Sequence, residues 1–182
     1  MITVIETERL LLRHVEYTDV NDLFEMDADP DVHLFIENKP VKTIAEIEVV
    51  ITMLKQQYLE NGIARFAVVD KLTNECVGWC GLKYFNQTLN QHNNFYELGY
   101  RFKKKHWGKG FATESSKAVL NYGFENLKTD TIFAITAPDN INSKKVLFKL
   151  GFVFVETFDY DGDPTDWFEL KKITWENKEP KR

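Results

Sequence analysis

The sequence predicts an α+β fold built on a mixed, twisted sheet of about seven strands with four helices. A chain of 182 residues that is 43% hydrophobic is long enough to bury one core. Strand-like runs at 63–70, 76–85 and 95–102 follow one another through polar turns, which indicates a meander. A helical segment at 111–127 then separates strand 95–102 from strand 131–137, and a crossover of this kind makes the two strands parallel.

The elements before the meander follow from local signals. Residues 8–13 (ERLLLR) predict the first strand, and Thr18 is a suitable cap for a short helix. Thr43 and Glu46 form a capping-box pattern, after which apolar residues recur at helical spacing. Gly62 follows the last of them and is expected to end that helix.

Two glycines interrupt the strand predicted at 76–85. Glycine inside a strand usually marks a bulge or a close approach of another backbone, so Gly78 and Gly81 predict one or the other. The polar residues 86–94 predict a loop before the next strand.

The last third of the chain predicts one more helix and a pair of strands. Asn140 is a preferred N-cap residue for a helix that Gly151 closes. Residues 152–158 and 167–173 predict strands around an acidic turn. The polar tail at 176–182 is expected to fray.

Composition excludes several classes of function. The formal net charge is −5, which argues against nucleic acid as a partner. No apolar run approaches the roughly 20 residues of a membrane helix, and residues 1–7 lack the features of a signal peptide. We therefore expect a cytoplasmic protein with no membrane partner, folded as a single domain over 1–182. The histidines show no ligand spacing, so no metal site is predicted.

The loop at 103–114 (KKKHWGKGFATE) is the most informative segment, because it joins a strand to the start of a helix. The first amides of a helix have no partner within the helix, and its dipole is positive at that end. Gly108 and Gly110 let an anion approach the backbone, and the neighbouring lysines add attraction. The loop therefore predicts a site for a diphosphate.

Two common nucleotide motifs do not fit this loop. A P-loop has a lysine followed by serine or threonine after its second glycine, whereas Phe111 and Ala112 follow Gly110. A dinucleotide fold has a third glycine or an alanine where this chain has Thr113.

The segment KHWGKG at 105–110 instead resembles the acyl-CoA motif of the GNAT acetyltransferase family, Arg/Gln-x-x-Gly-x-Gly/Ala at a strand-to-helix junction. A lysine replaces the first arginine or glutamine, which keeps the charge but loses the guanidinium fork. The segments TERLLLR at 7–13, ELGYR at 97–101 and Asn-x-x-Ser-x-x-Val at 140–146 resemble the branch of the family that contains the ribosomal-protein alanine and serine N-acetyltransferases.

The resemblance implies that two parallel strands splay apart and that the pantetheine arm of acetyl-CoA, the co-substrate, enters between them. Strand 95–102 would bind the arm, strand 131–137 would be its splayed partner, and the loop after strand 95–102 would bind the pyrophosphate. The residues implied to bind the cofactor are Leu98, Gly99, Tyr100, Phe102, Lys103, Lys105, His106, Trp107, Gly108, Lys109, Gly110, Phe111, Ala112, Asn140 and Ser143.

The resemblance also implies catalytic roles for two residues. Attack of an amine on a thioester requires a base, and Glu97 is the best-placed carboxylate, acting directly or through a water. A glutamate on the exposed surface of the sheet is the alternative. Leu147 occupies the position of the tyrosine that protonates the departing thiolate in this family, and the resemblance to the ribosomal-protein branch implies that Ser143 is the acid instead. A local helix cap at Ser143, with unassisted release of the thiolate, is the alternative.

The predicted function is acetylation of a primary amine, with a protein N-terminus as the first hypothesis. A small-molecule acceptor such as a polyamine, an amino acid or a drug is the second, and a non-catalytic acyl-CoA-binding module is the third. Residues 27–42, 86–94 and 158–166 are expected to build the acceptor side, and the acidic last segment would attract a cation. By analogy with the family, a homodimer is expected.

Overall fold

The computed structural model describes residues 4–36 and 39–178. The strands are β1 (Ile5–Glu6), β2 (Leu10–Arg13), β3 (Arg65–Asp70), β4 (Glu75–Phe85), β5 (Phe95–Phe102), β6 (Thr131–Thr136), β7 (Val153–Tyr160) and β8 (Asp163–Lys171). The α-helices are α1 (Val20–Asp27), α2 (Pro30–His33), α3 (Ile44–Asn61), α4 (Phe111–Asn126), α5 (Ile141–Leu150) and α6 (Lys172–Lys178). Short 3₁₀ turns occupy Tyr17–Asp19 and Lys104–His106.

All eight strands form one sheet in the order β1-β2-β3-β4-β5-β6-β8-β7. Only β5 and β6 pair in parallel, and the other neighbours are antiparallel. Helices α4 and α5 bury their apolar sides against one face of the sheet, in the cluster that contains Leu98 and Leu147. Helices α1 and α3 cover part of the opposite face, in the cluster that contains Ile47 and Ala67. The sheet therefore lies between two helical layers.

Strands β5 and β6 separate soon after they meet. Their pairing is confined to Tyr96 with Ile132 and Glu97 with Phe133. Beyond these positions β6 continues to pair with β8, and β5 continues to pair with β4. The facing edges of β5 and β6 thus carry backbone groups without a partner strand, and a wedge opens in the middle of the sheet.

The predicted α+β class and the splayed central strands are confirmed, whereas the predicted numbers of elements were too low. The sequence predicted seven strands and four helices, and the described residues contain eight and six. The two-residue strand β1 and the four-residue helix α2 are too short to show a period.

The prediction of a frayed tail is wrong for residues 176–178, which complete helix α6. Trp175 anchors this helix because its ring is buried and its Nε1 donates to Asn121 Oδ1 at 2.8 Å. The rest of the predicted tail, residues 179–182, lies outside the described residues. The last strand consequently ends at Lys171 rather than at residue 173.

Several local signals were correct. Gly62 closes α3 in the left-handed conformation with φ +71°, and the side chain of Asn140 caps α5 by accepting from the Ser143 amide at 3.1 Å. The β3–β4 register shifts between Val68 and Val69, opposite the strand segment that contains Gly78. A Cβ on Gly78 would lie 2.2 Å from the Arg101 carbonyl oxygen, so both a bulge and a close approach occur there.

Among the described residues, no helix combines the length and the apolar character needed to cross a bilayer.

Candidate active site

The wedge between β5 and β6 continues into a cleft of about 1030 Å³. One wall comes from β5, the first residue of β3 and the middle of β4, and the other comes from β6, the segment after it and the first turns of α5. Residues that follow α2 and the β7–β8 turn complete the mouth. Of the predicted site residues, the cleft is lined by Glu97, Leu98, Gly99, Tyr100, Asn140 and Ser143.

Glu97 lies at the last position where β5 still pairs with β6. Its side chain is 5% exposed, and its Oε2 accepts from Arg65 Nη2 at 3.0 Å. The Arg65 guanidinium stacks on the ring of Trp79, with Cζ 4.7 Å from the ring centre. The guanidinium also lies over Gly99, so close that a side chain at this position would have its Cβ 2.9 Å from Arg65 Nη2. The alternative of a glutamate exposed on the sheet surface is therefore wrong.

A second arginine lies on the same side of the sheet. Arg101 is directly opposite Trp79 in the β4–β5 register, and its Cζ lies 5.1 Å from the Trp79 ring centre. Its Nη1 donates to Asp27 Oδ1 at 2.7 Å, and His33 Nε2 lies 3.5 Å from that carboxylate oxygen. Asp27 and His33 are both buried, so α1 and α2 hold this guanidinium at the cleft wall.

On the opposite face of β5, a tyrosine hydroxyl meets a serine hydroxyl from α5. Tyr100 points toward the first turn of α5, where its Oη lies 3.0 Å from Ser143 Oγ and 3.2 Å from the Ser143 carbonyl oxygen. Burial raises the pKa of Tyr100, although the hydrogen bond with Ser143 opposes this shift. Leu147 lies one turn further along α5 and also lines the cleft. The structure thus brings together a tyrosine hydroxyl and Ser143, which the sequence did not pair.

The loop that was predicted to bind a diphosphate ends at the first turn of α4. Gly108 and Gly110 have φ values of +75° and +83°, in the region that favours glycine. Gly110 is the N-cap residue and has no side chain to satisfy the amides of the first turn, which begins with Phe111 and Ala112. The turn therefore presents free backbone donors at the positive end of a 16-residue helix.

Two aromatic residues fix the approach to this loop. Trp107 is 46% exposed, and its Nε1 donates to the Phe102 carbonyl oxygen at 2.9 Å. His106 is buried and stacks near Phe111, with ring centres 5.9 Å apart. Burial lowers the pKa of His106, and the nearby Lys109 ammonium lowers it further.

An ion pair from the N-terminal strand region secures the loop. Arg9 Nη1 donates to the Lys109 carbonyl oxygen at 3.0 Å, and Arg9 Nε donates to Glu114 Oε2 at 2.7 Å. The other Glu114 oxygen accepts from the Thr7 hydroxyl at 2.7 Å and from the Arg9 amide at 2.9 Å. Sequence reasoning noted both segments as motifs but missed their contact, because nothing local joins residues about 100 positions apart.

The lysines of the loop are less available than the sequence suggested. Lys103 is 2% exposed, and its Nζ lies 2.7–2.8 Å from carboxylate oxygens of Asp22, Glu25 and Glu75. Lys105 Nζ pairs with Glu25 and Glu75 at 2.9 and 2.7 Å. The attraction for an anion that the sequence assigned to these lysines is therefore reduced at Lys103 and Lys105, since α1 and β4 supply carboxylates that balance their charges.

Two of the three segments expected to build the acceptor side line the cleft. Leu34, Phe35 and Ile36 contribute from the first segment, and Asp161 of the β7–β8 turn and Asp163 at the start of β8 contribute from the last. The segment 86–94 does not contribute. Its residues Leu89 and His92 pack instead on the cluster of Phe95, Phe133 and Trp167.

This arrangement suits an elongated ligand with an anionic segment. The open edge of β5 offers backbone groups along the wedge, and the first turn of α4 offers amides to a phosphate. The Tyr100–Ser143 pair and Glu97 all line the cleft into which the wedge continues. Acetyl-CoA has this shape and charge, with a pantetheine arm between its diphosphate and its thioester, and the residues present fit it.

Comparison with known proteins agrees with this geometry. The family model for the acetyltransferase (GNAT) domain matches residues 9–153. The chain is 36% identical over 146 residues to the uncharacterized N-acetyltransferase p20 of Bacillus licheniformis, covering 80% of each chain. It is 30% identical to the uncharacterized protein YkkB of Bacillus subtilis, covering 93% of this chain and 96% of the relative.

A solved acetyltransferase (GNAT family) from Bacillus anthracis superimposes with a TM-score of 0.76 at 27% identity. It covers 93% of this chain and 98% of its own. The family model spans most of the chain, including the wedge, the glycine-containing loop and both candidate catalytic positions. The chain therefore belongs to the GNAT family and is an N-acetyltransferase.

Proposed function

We propose that the chain transfers the acetyl group of acetyl-CoA to a primary amine by direct attack, with both substrates bound in the cleft. The observation that carries this proposal is the position of Glu97, a buried carboxylate held by Arg65 where β5 and β6 separate. Glu97 lines the cleft at the point where the two strands separate, so its carboxylate can exchange a proton with a ligand in the cleft. A carboxylate that served only the packing of the sheet would not need to reach the cleft.

Glu97 removes a proton from the acceptor amine, directly or through one water, as the amine nitrogen bonds to the acetyl carbon. Its Oε2 is held by Arg65, and its Oε1 has no hydrogen-bond partner among the described residues. The free oxygen is therefore the one that accepts the proton. A backbone amide near Leu98 or Gly99, on the open edge of β5, stabilises the negative charge that develops on the carbonyl oxygen.

Ser143 supplies the proton that the coenzyme A sulfur takes up when its bond to the acetyl carbon breaks. Its Oγ shares a hydrogen bond with the Tyr100 hydroxyl, so the serine does not act alone. Either hydroxyl can be the donor, and the pair gives two routes by which a proton reaches the sulfur. This pair takes the place of the tyrosine that Leu147 replaces.

Two solved structures with named acceptors bear on the choice of amine. A putative ribosomal-protein-serine acetyltransferase from Vibrio cholerae has a similar structure, and so does a spermidine N-acetyltransferase from the same species with CoA and spermine bound. Their identities to this chain are 21% and 20%, so they share the fold and do not select an acceptor. Peptide N-termini and small amines therefore both belong in the assay.

The test is release of coenzyme A from acetyl-CoA in the presence of an amine panel, with mass spectrometry of the products. We expect acetylated amine in amounts equal to the thiol released. Glu97→Gln should lower kcat about 100-fold, because the amide cannot accept a proton. It should also remove the acidic limb of the kcat/KM–pH profile. An unchanged profile in Glu97→Gln would exclude Glu97 as the base.

A further inference from the structure

Two arginines hold their guanidinium groups on the side of the sheet that carries Glu97, and one of them, Arg65, contacts Glu97 directly. Arg65 and Arg101 come from β3 and β5, and both stack within about 5 Å of the centre of the Trp79 ring. Both residues, and Trp79 between them, line the cleft. The proton transfer assigned to Glu97 does not require a second arginine at this place.

Each guanidinium is fixed by one nitrogen and has another available. Arg65 uses Nη2 for Glu97, and Arg101 uses Nη1 for Asp27. Arg65 Nη1 and Arg101 Nη2 make no hydrogen bond among the described residues, and neither is among the buried nitrogens. Two preorganised donors are therefore open to the cleft.

A guanidinium nitrogen that is rigid, desolvated on one face and open on another is a typical recognition element for a carboxylate. The arginine side chains are 21% and 18% exposed, so an anion bound to them is largely shielded from solvent. Stacking on Trp79 limits the entropy that ordering these long side chains would otherwise cost.

The spacing along β5 relates this anion site to the amine. Glu97, Gly99 and Arg101 alternate onto the same face of the strand, and the Arg65 guanidinium covers Gly99 in the middle. Successive residues on one face of a strand are roughly 7 Å apart. Glu97 and Arg101 are two such steps apart, roughly 13 Å between their Cα atoms, whereas the Arg65 guanidinium over Gly99 also contacts Glu97. An amine beside Glu97 and an anionic group held by the arginines at the level of Gly99 therefore belong to one small molecule.

We propose that the acceptor is a small primary amine that carries a carboxylate, of which an amino acid is the simplest form. Arg101, together with Arg65, binds that carboxylate. This inference rests on the proposed function and names the class of its acceptor. A polyamine has no group for these arginines, and the terminal amine of a peptide lacks a neighbouring carboxylate.

The acidic turn does not reverse this choice. Asp161 and Asp163 line the mouth of the cleft, but both are exposed, so solvent and salt weaken their attraction for a cation. Asp166, the buried carboxylate of the same hairpin, pairs with Lys144 at 2.6 Å and accepts from Thr157. Arg65 and Arg101 are by contrast partly buried, line the cleft and each keep a donor nitrogen that no described residue uses.

The test compares acceptors that differ only by the carboxylate. Each amino acid is assayed beside the amine that its decarboxylation gives, for example tyrosine with tyramine, and lysine with cadaverine. A dipeptide and spermidine complete the panel. We expect kcat/KM for the amino acid to exceed that for its decarboxylated partner by about tenfold or more, which corresponds to one charge-assisted contact.

Arg101→Met should abolish this preference while the dissociation constant of acetyl-CoA stays unchanged, and Arg101→Lys should retain part of it. Because Arg101 pairs with the buried Asp27, the double variant Arg101→Met with Asp27→Asn serves if the single variant folds poorly. Equal rates within each pair, or a preference for spermidine or the dipeptide, would overturn the inference and leave the proposed function standing. Turnover of none of these acceptors would contradict both.

Discussion

The hydrogen bond between Tyr100 and Ser143 links the proton-donating ability of each hydroxyl group to the other. Ser143 is in the first turn of α5, where its amide is already bound by Asn140. Its side chain is therefore free to turn to the Tyr100 hydroxyl, 3.0 Å away. The two hydroxyl groups are expected to act as one unit rather than as two independent acids.

Ser143→Ala and Tyr100→Phe should each lower kcat about tenfold to 100-fold, because each breaks the route of the proton to the sulfur. The double variant should be no slower than the slower single variant, since members of one unit are not additive. Single-turnover rates measure this directly. The dissociation constant of acetyl-CoA should not change, and multiplicative losses in the double variant would contradict a shared route.

At this scale the sequence predicted the identity of Glu97 and Ser143 but not their partners. Both lie in segments that resemble a family motif, and that resemblance implied the roles proposed for them. Arg65 and Tyr100 act through contacts across strands and between a strand and a helix, and no local period encodes such contacts. Arg101 lies within the quoted ELGYR segment, yet only the β4–β5 register places it on Trp79.

Among the elements, the loop before α4 is the one whose backbone conformation matters most. Gly108 and Gly62 have nearly the same φ, +75° and +71°, and a Cβ on either would meet no atom within 4 Å. Alanine at either position therefore introduces the same backbone strain, about 1–2 kcal/mol, without a steric clash. The two positions differ only in where the strain is applied.

Gly108→Ala should weaken binding of acetyl-CoA about tenfold, because the strained loop no longer presents its amides at the start of α4. Gly62→Ala is the matched control, since it strains the end of α3 away from the cleft and should leave the dissociation constant unchanged. Isothermal titration measures both constants. Equal affinity in the two variants would count against the loop as the diphosphate site.

The sequence predicted long elements well and short elements poorly. Helices α3, α4 and α5 have apolar periods and end signals that the chain itself carries, and each was located within two residues. Helix α6 was missed because one buried residue, Trp175, holds it against the core. A single anchor of this kind is a tertiary property and leaves no period in the sequence.

Across the whole molecule, the ion cluster around Lys103 joins α1, β4 and the loop after β5. The buried ammonium bonds to Asp22, Glu25 and Glu75, whose oxygens lie within 4.8 Å of one another. Burial opposes the ionised form of Glu75, but hydrogen bonds from Lys103 and Lys105 lower its pKa to about 2. Mainly through its hydrogen bond with Lys103, the pKa of Glu25 is also lowered.

Lys103→Met should therefore destabilise the fold by about 3 kcal/mol, because three carboxylates lose their common partner. Lys104→Met is the control, since the Lys104–Asp31 pair is exposed and should contribute little. Denaturant unfolding at pH 7 measures the difference. The affinity of Lys103→Met for acetyl-CoA should stay close to that of the wild type. A clear loss of affinity would instead indicate that Lys103 contacts the cofactor directly.

The same cluster sets a pH dependence. A carboxylate whose pKa is lowered on folding stabilises the protein above its unfolded pKa, which is about 4.5 for Glu75, and this contribution is lost as the pH falls toward 2. The stability difference between the wild type and Lys103→Met should therefore shrink as the pH falls below about 4.5. A constant difference across that range would contradict the assignment.

The overall arrangement could be read from the sequence because its order of strands and helices allows few topologies. The pairing of charged side chains could not be predicted from the sequence. The run of lysines at 103–105 predicts a cationic surface, whereas the fold places acidic residues from 22, 25, 31 and 75 against it. Distant segments therefore decide which of the charges in a run remain free.

The interrupted pairing of β5 and β6 has a further consequence for how the protein can change. Each additional backbone hydrogen bond between these strands would give an unpaired amide a partner, and would raise the thermal stability of the sheet. The same hydrogen bonds would close the wedge that is proposed to hold the substrates. Substitutions that stabilise the protein by extending the β5–β6 pairing are therefore expected to lower its activity. Variants selected only for thermal stability should include inactive proteins in which the sheet is continuous.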